Sequence, residues 1–376
     1  MLVGDQARSR SLERGKIVAA ALAGSWRSSP PPLDLPLAML ADIASILLRT
    51  GAGGLAWWRT SDAGRHDTGT ALLFREAYRR HTNQVADHEE HLEQVLGLLR
   101  RRGVEALSCK GWAMARLYPE AGLRPYGDID LCVRPDQMTT AMAVLSHAGR
   151  PGQYVDLHCG IPDLEHRRFE DVVRRSRMVS RGEEEVRLLG PEDQLQQMCL
   201  HLLRHGAWRP LWLCDIGMFV ESLPANFDWD YFLHGKQRQA EWTVCVLGLA
   251  SRLLSARLAE PAIIRRAAKL PVWLEAAVLR AWGSTLSGDS HTRDEVPMAI
   301  HLRRPAGLLT ALSRRWPNPI EAAVKLQVGP WTRRPLPLLQ LGFMLRRTAR
   351  FLARVPFMRQ HKQLLWEAPF ELHLAG

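Results

Sequence analysis

The chain has 376 residues, of which 46% are apolar and 24% charged, and its formal net charge is +11. This composition excludes a disordered or fibrous protein, and the length allows two or three globular domains. Lysine occurs at only six positions, so arginine carries the positive excess. Arginine suits phosphate and carboxylate recognition, whereas nucleic-acid binding is an alternative that the charge alone supports.

The six cysteines are scattered and form no CxxC pair. This spacing is typical of reduced thiols in the core of a cytoplasmic protein and argues against a disulfide framework. They are Cys109, Cys132, Cys159, Cys199, Cys214 and Cys245.

The N-terminus has two interpretations. Basic residues precede the apolar run from Ile17 to Ala23, which fits either a first amphipathic helix over residues 11–27 or a secretory signal peptide. The run is far too short to span a bilayer, and no other run approaches that length. We therefore expect a soluble, cytoplasmic protein without a transmembrane segment.

Two helices are predicted before the centre of the chain. An apolar helix over 35–48 ends at the glycine cluster 51–54, which we interpret as a linker because it lacks the strand–GxGxxG–helix context of a dinucleotide site. Residues 71–102 carry apolar side chains at three- and four-residue spacing, the pattern of an amphipathic helix that Gly103 ends.

The central stretch alternates strand and helix and carries a pair of acids. A strand over 104–108, a Lys110-Gly111 turn and a short helix lead to a strand with Asp128 and Asp130. Residues two apart on a strand share a face, and two carboxylates about 4 Å apart repel by on the order of 4 kcal/mol at an effective dielectric near 20. Such a pair needs a shared proton or a cation, for which Mg²⁺ is the expected choice.

A predicted helix over 136–148 and a strand over 153–158, with Asp156 and His158 on one face, complete the strand–helix alternation. From about residue 183 the pattern is nearly all helical. We expect helices that begin at Pro191 and after Asp228, and others over 211–220, 242–258, 272–282 and, as a basic amphipathic helix, 338–351.

An ordered set of motifs resembles the uncharacterised nucleotidyltransferase family of the DNA-polymerase-β-like nucleotidyltransferase superfamily. The likeness covers roughly residues 70–260. Its motifs are Lys110-Gly111, Tyr118-Pro119, Arg124-Pro-Tyr-Gly-Asp128-Ile-Asp130-Leu, Val155-Asp156-Leu-His158, Glu192-Asp-Gln-Leu, Cys199-Leu-His-Leu-Leu-Arg-His205, Trp212-Leu-Cys-Asp215-Ile and Phe227-Asp-Trp-Asp230.

The resemblance implies an α+β fold, in which a small mixed β-sheet flanked by helices precedes a mainly α-helical C-terminal domain. The expected division is an N-terminal helical region over 1–70, a nucleotidyltransferase core over 71–182, a helical bundle domain over 183–300 and a basic helical tail over 301–376. It also implies Mg²⁺-dependent transfer of NMP from an NTP, expected to be ATP, to an unknown hydroxyl acceptor such as a small molecule, peptide or protein.

The resemblance also implies the site residues. Three acids would be catalytic and would bind two metal ions, with Asp156 as the candidate base; the three are Asp128, Asp130 and Asp156. The nucleotide would contact residues on the turn, the following helix and the strands, namely Lys110, Gly111, Trp112, Arg124 and His158.

Alternatives remain open at this stage. The segment 149–154 is shorter than is usual in the family, and the shorter segment would open the acceptor side or displace Asp156. The competing functions are a degenerate nucleotide-binding module and an RNA-directed protein that uses the basic tail. Asp128 with Asp130 would then be a solvated pair, Lys110 a surface residue, and Asp156 with His158 a polar strand edge.

Other polar residues have structural interpretations beside functional ones. Arg124 either binds phosphate or pairs with an acid, and Asp215 either lines the pocket or pairs with His201 or His205. These two histidines, four apart on one helix near Cys199, favour capping or core hydrogen bonds over a zinc site. The tryptophans of the helical part are expected in the core.

Overall fold

The computed structural model describes residues 2–182, 184–284 and 316–360. The predicted tail therefore lies partly outside the described residues. None of the helices in the described part of the chain combines the length and the apolar content that crossing a membrane requires.

Four helices precede the sheet. They are α1 (Leu2–Leu22), α2 (Leu37–Arg49), α3 (Gly53–Asp62) and α4 (Gly69–Arg101). The predictions for α2 and α4 are confirmed, and α4 begins after Thr68, whose hydroxyl accepts a hydrogen bond from the Ala71 N–H. Gly103, with φ of 70°, follows the end of α4 as expected.

The interpretation of residues 51–54 as a linker was wrong, because Gly53 and Gly54 form the first turn of α3. A Cβ on Gly54 would lie 2.2 Å from the carbonyl oxygen of Gly122. Glycine is needed at this position for close packing. The glycine-rich composition is typical of a loop, which is why the sequence alone did not predict a helix here.

The sheet has five strands in the order β3-β2-β1-β5-β4. The strands are β1 (Leu107–Ser108), β2 (Ile129–Val133), β3 (Val155–Cys159), β4 (Arg177–Arg181) and β5 (Glu184–Leu188). The pairs β2–β3 and β1–β5 are parallel, whereas β1–β2 and β4–β5 are antiparallel. Between them lie α5 (Gly111–Ala115), α6 (Met138–His147), α7 (Arg150–Gln153) and α8 (Phe169–Arg175).

The β4–β5 hairpin was not predicted, and its second strand occupies residues that we expected to begin the helical part. Alternate residues of β5, Val186 and Leu188, are buried. The two-residue periodicity is present in the sequence, but charged side chains fill the other positions and obscure it.

The described residues from 191 onward are mainly helical, as predicted. Its helices are α9 (Pro191–Arg204), α10 (Pro210–Glu221), α11 (Trp229–Leu233), α12 (Gln237–Leu254), α13 (Pro261–Ala267), α14 (Val272–Gly283), α15 (Pro319–Lys325) and α16 (Leu336–Gln360). The Asp228 carboxylate caps α11 by accepting a hydrogen bond from the Tyr231 N–H. Helix α13 was not predicted.

In the described ranges, the buried apolar side chains form three clusters. The largest joins α1, α2 and α3 with α9, α10, α12, α14 and α15. The second lies between α4 and one face of the sheet, and the third lies on the opposite face. The fold is therefore α+β, with a small mixed sheet and a large helical part, as the resemblance implied. The division into four regions stays a prediction.

Candidate functional site

The register of β2 and β3 brings the strand acids together. The two strands are parallel, and Asp130 lies directly opposite Asp156. Asp128 comes just before β2 and is exposed, whereas Asp130 is buried. The short segment 149–154 therefore delivers β3 in register and leaves Asp156 beside Asp130.

His158 holds the two opposed acids. Its Nε2 lies 3.2 Å from Asp130 Oδ1 and 3.2 Å from Asp156 Oδ2. Burial opposes the charged imidazolium, but these two carboxylates outweigh it and raise the pKa of His158 to about 9. The same contacts lower the pKa of Asp130 against the effect of burial, and they lower that of Asp156. At neutral pH the imidazole is a cation between two carboxylates.

Lys110 adds a second cation to the same acid. Its Nζ lies 3.1 Å from Asp130 Oδ1, and its side chain is 17% exposed. Burial opposes the ammonium charge, but the attractions of Asp130, Cys109 and Asp163 together outweigh it and raise the pKa of Lys110. Lys110 is thus part of the site rather than an ordinary surface lysine.

The backbone at Lys110 is unusual. Its φ of 55° and ψ of −129° lie in a region that favours glycine. Gly111 follows at the start of α5, where a Cβ would lie 3.2 Å from the Asp128 carbonyl oxygen and 3.6 Å from Asp130 Oδ2. The predicted turn and helix are present, but α5 has only five residues, so its dipole is weaker than that of a longer helix.

Asp128 is the acid whose negative charge is least compensated. Although Asp128 is exposed as a residue, surrounding protein atoms partly desolvate its carboxyl, and this effect and then the charges of Asp130 and Asp156 raise the pKa of Asp128 to about 6. Asp128 is therefore close enough to both acids to share their electrostatic field. A bound cation would relieve this repulsion.

The donor set fits a divalent cation. Among the described residues, the single His, Cys, Asp and Glu group with metal-binding geometry is Asp130, Asp156 and His158, whose ligand atoms lie within 4.8 Å of one another. His158 carries a proton at neutral pH and would have to lose it to coordinate a metal, so the two carboxylates are the donors of this group. Carboxylate oxygens are the ligands that Mg²⁺ prefers. Asp128 lies outside this group and precedes Asp130 by two residues in the chain.

Of the two roles considered for Arg124, phosphate binding and pairing with an acid, its contacts support the second. Its Nε and Nη2 donate hydrogen bonds to Asp215, at 2.8 Å for Nη2, and its Nη1 donates to the Pro125 carbonyl. The Tyr118 hydroxyl donates to the same carboxylate at 2.8 Å. All three side chains are buried. The expected phosphate contact of Arg124 is therefore unsupported. The partners of Asp215 are Arg124 and Tyr118, so the alternative in which it pairs with His201 or His205 is unsupported as well.

Trp112 also differs from its predicted role. The indole is only 3% exposed, and its Nε1 donates a hydrogen bond to Glu89 Oε1 at 3.1 Å. It packs in the cluster between α4 and the sheet. The ring is a core side chain here, and its burial does not support the expected contact with nucleotide.

The two helix histidines lie in an aromatic group beside a buried acid. His201 Nδ1 lies 3.6 Å from Asp163 Oδ2, and the His201 ring is 4.5 Å from that of His205 and 4.8 Å from that of Trp212. Burial lowers the pKa of His201 to about 4. The neutral imidazole packs among aromatic rings, and its 3.6 Å separation from Asp163 is longer than a hydrogen bond, so capping or core hydrogen bonding stays a prediction.

Two charged residues near the site escaped prediction. Asp163 is buried with φ of 72°, pairs with Arg204 and interacts electrostatically with Lys110. Arg209 donates from Nε to the Thr50 carbonyl at 2.8 Å. Burial lowers the pKa of Arg209 to about 10, and the charge of Asp128 opposes that shift. Neither residue belongs to a motif, so no local spacing indicated that they lie near the site.

A family model described as an uncharacterised nucleotidyltransferase matches residues 42–255. This range contains every predicted site residue and extends the likeness from the sheet into the helices on both sides. No curated protein and no solved structure matches the chain.

Proposed function

Since the chain belongs to the uncharacterised nucleotidyltransferase family, we propose that it transfers NMP from an NTP to a hydroxyl acceptor and releases pyrophosphate. The observation that carries this proposal is the register that sets Asp130 opposite Asp156. Asp128 lies close enough to both carboxylates for their negative charges to raise its pKa. Three acids in one place suit a divalent cation better than they suit any structural role.

Asp128, Asp130 and Asp156 would hold Mg²⁺. When bound, such ions lower the pKa of the acceptor hydroxyl and neutralise charge on the leaving pyrophosphate. His158 and Lys110 both pair with Asp130 and so hold its carboxylate in place. Because these two cations already bind the acids, they fix the orientation of the carboxylates before any ligand arrives.

Two cations would bind the phosphates. Lys110 is one, since its ammonium lies at the turn next to Asp130. Arg209 is the other, because its guanidinium is within electrostatic reach of Asp128 and has no carboxylate partner within ion-pair distance among the described residues. Arg124 is left out of this role, because its donors are engaged by Asp215 and Pro125.

The transfer itself exchanges one phosphorus–oxygen bond for another. The acceptor oxygen forms a bond to the α-phosphorus, and the bond from that phosphorus to the bridging oxygen of the β-phosphate breaks. The acceptor proton passes to Asp156, the candidate base that the resemblance implies, whose carboxylate is 43% exposed and can be reached by an acceptor. The pyrophosphate takes the electron pair of the broken bond.

A degenerate nucleotide-binding module is the alternative of the same fold. Its support was the short segment 149–154, and the in-register pairing of β2 with β3 removes the expected displacement of Asp156. The RNA-directed alternative rests on a basic tail that lies partly outside the described residues. We therefore keep the transferase as the proposal, with ATP the expected nucleotide.

The test is a labelling assay with the full chain. The purified protein is incubated with Mg²⁺, cell extract and each of the four α-labelled NTPs, and we expect label to enter one acceptor. Asp128→Asn and Asp130→Asn should each reduce labelling at least 100-fold. Asp136→Asn, at an exposed position just beyond β2, is the matched control and should label normally. Retained labelling in both site variants would refute the proposal.

A further inference from the structure

A continuous row of aromatic rings leads away from the carboxylates. A Cβ placed on Gly111 would lie 3.6 Å from Asp130 Oδ2 and 3.4 Å from the ring of Tyr126. The Tyr126 ring lies 5.1 Å from that of His88, which lies 5.2 Å from that of Tyr154. The row therefore begins beside the proposed phosphate site.

The row ends in a stacked pair. The rings of His91 and Tyr154 are 4.9 Å apart with an angle of 10° between their planes. His88 and His91 lie on α4, whereas Tyr154 lies between α7 and β3. Two parts of the chain are thus held together by ring contacts where the second approaches Asp156.

A cleft of about 380 Å³ opens over these rings. His88, His91 and Tyr154 line one part of it, and Gly127, the residue before Asp128, lines another. Its volume is within the range of about 300–1,000 Å³ that small-molecule sites occupy. The cleft is therefore large enough for one flat heterocycle with its sugar, and it reaches to within one residue of a proposed metal ligand.

The rings present unpaired polar atoms. His88 is 4% exposed, and both of its ring nitrogens lack a hydrogen-bond partner among the described residues; the Tyr126 backbone approaches the imidazole without reaching hydrogen-bond geometry. The Tyr126 hydroxyl, also on a 4% exposed residue, is unpaired in the same sense, as is His91 Nδ1. Buried polar atoms of this kind are normally paired, but these have no exposed surface that a ligand could contact, so the cleft and the stacked rings carry the inference.

We propose that this cleft binds the base of the nucleoside triphosphate, with His91 and Tyr154 as the stacking surface. This inference rests on the proposed function and names the place of the base within it. Rings that are half-buried and face a cleft favour a flat π-system over an aliphatic or peptide group. The cleft reaches Gly127, so a base bound on these rings would lie one residue from Asp128.

The rim of the cleft carries the groups that read the edge of a base. Asn83, Gln84 and Asp87 line it from successive turns of α4. Amides present both a donor and an acceptor, and a carboxylate accepts from an amino group. These side chains would set the base preference, whereas the stacked rings would bind any base.

The test separates the base from the phosphates. Titration calorimetry on the full chain with Mg²⁺ compares ATP, GTP, CTP and UTP with inorganic tripolyphosphate, which has no base. We expect at least one NTP to bind about tenfold more tightly than tripolyphosphate. His91→Ala should remove that tenfold advantage and leave tripolyphosphate affinity unchanged, because stacking is lost and the phosphate contacts are not.

His91→Phe is the matched variant, since it keeps a flat ring and should keep the NTP advantage. Asn83→Ala, an exposed rim change, should alter the order of preference among the four NTPs without weakening tripolyphosphate. Equal NTP affinity in wild type and His91→Ala would overturn the base site alone. Failure of wild type to bind either NTP or tripolyphosphate would overturn the proposed function and this inference with it.

Discussion

At Lys110 the backbone and the side chain favour different residues. The φ of 55° and ψ of −129° suit glycine, and a non-glycine residue in such a region stores on the order of 1–3 kcal/mol. The ammonium nevertheless contacts Asp130 at 3.1 Å. Strain retained at such a position is typical of a residue kept for its chemistry.

Replacing Lys110 separates these two demands. Lys110→Ala and Lys110→Gly both remove the ammonium, so both should lose nucleotidyl transfer. Only alanine must adopt the strained backbone, and we expect the glycine variant to be more stable to urea by about 1 kcal/mol. Equal stability of the two variants would contradict the strain at this turn.

The pair of Arg124 and Asp215 is the clearest case of a residue whose role the sequence leaves open. Arg124→Met alone leaves a buried carboxylate without its cation, and we expect a loss of about 3 kcal/mol in unfolding free energy. Adding Asp215→Leu removes that charge, so the double variant should regain most of the stability, as urea denaturation would measure.

The double variant also tests function. If Arg124 is structural, as its hydrogen bonds to Asp215 indicate, the stable double variant should keep its transferase activity. A double variant that is stable but inactive would restore the phosphate-binding role that the resemblance implied.

At the level of elements, the close contact of α3 with the turn at residues 121–123 depends on glycine. A Cβ at Gly54 would lie 2.2 Å from the Gly122 carbonyl oxygen. We expect Gly54→Ala to cost about 1–3 kcal/mol of stability by overpacking, measured by urea denaturation. Gly69→Ala, where a Cβ meets nothing within 4 Å, is the matched control and should be neutral or stabilising.

Elements with strong local periodicity could be predicted, and elements set by packing could not. Helix α4 has a continuous apolar stripe that includes Leu92, Val95 and Leu99, and no tertiary contact was needed to recognise it. Helix α3 begins with two glycines that allow close packing against Gly122 and Ala77. Considered locally, two such glycines are typical of a linker. The β4–β5 hairpin likewise gains its strand identity from pairing with β1.

The site divides in the same way. Asp128, Asp130, Asp156 and His158 fall in short motifs on adjoining strands, so their proximity follows from the strand–helix–strand order. The partner of Arg124 is 91 residues away in the chain, and local spacing carries no record of it. The stacked rings of His91 and Tyr154 also come from separate elements, which is why no motif predicted the cleft.

For the whole molecule, two histidines make stability fall in acid. Burial lowers the pKa values of His81 and His201 to about 4 each. The unfolded chain binds these protons near pH 6.5, whereas the folded chain does not until about pH 4. Since the unfolded state binds more protons in this window, stability present above pH 6.5 is lost as the pH falls.

The expected result is a Tm that decreases by several degrees between pH 6.5 and 4.5. A double variant with His81→Gln and His201→Gln should show a flatter dependence, measured by thermal denaturation across that range. His147→Gln, at an exposed position on α6, is the control and should follow the wild type. A double variant as steep as wild type would assign the acid loss to other groups.

The central claim is that the three acids and Lys110 form a site for a metal-bound triphosphate. The most direct test is a crystal structure of the full chain with Mg²⁺ and an NTP that is non-hydrolysable at the α–β bridge. We predict Mg²⁺ about 2.1 Å from carboxylate oxygens of Asp128 and Asp130, with the phosphates against Lys110. A nucleotide bound elsewhere, with Asp130 still closed by His158 and Lys110, would contradict the account.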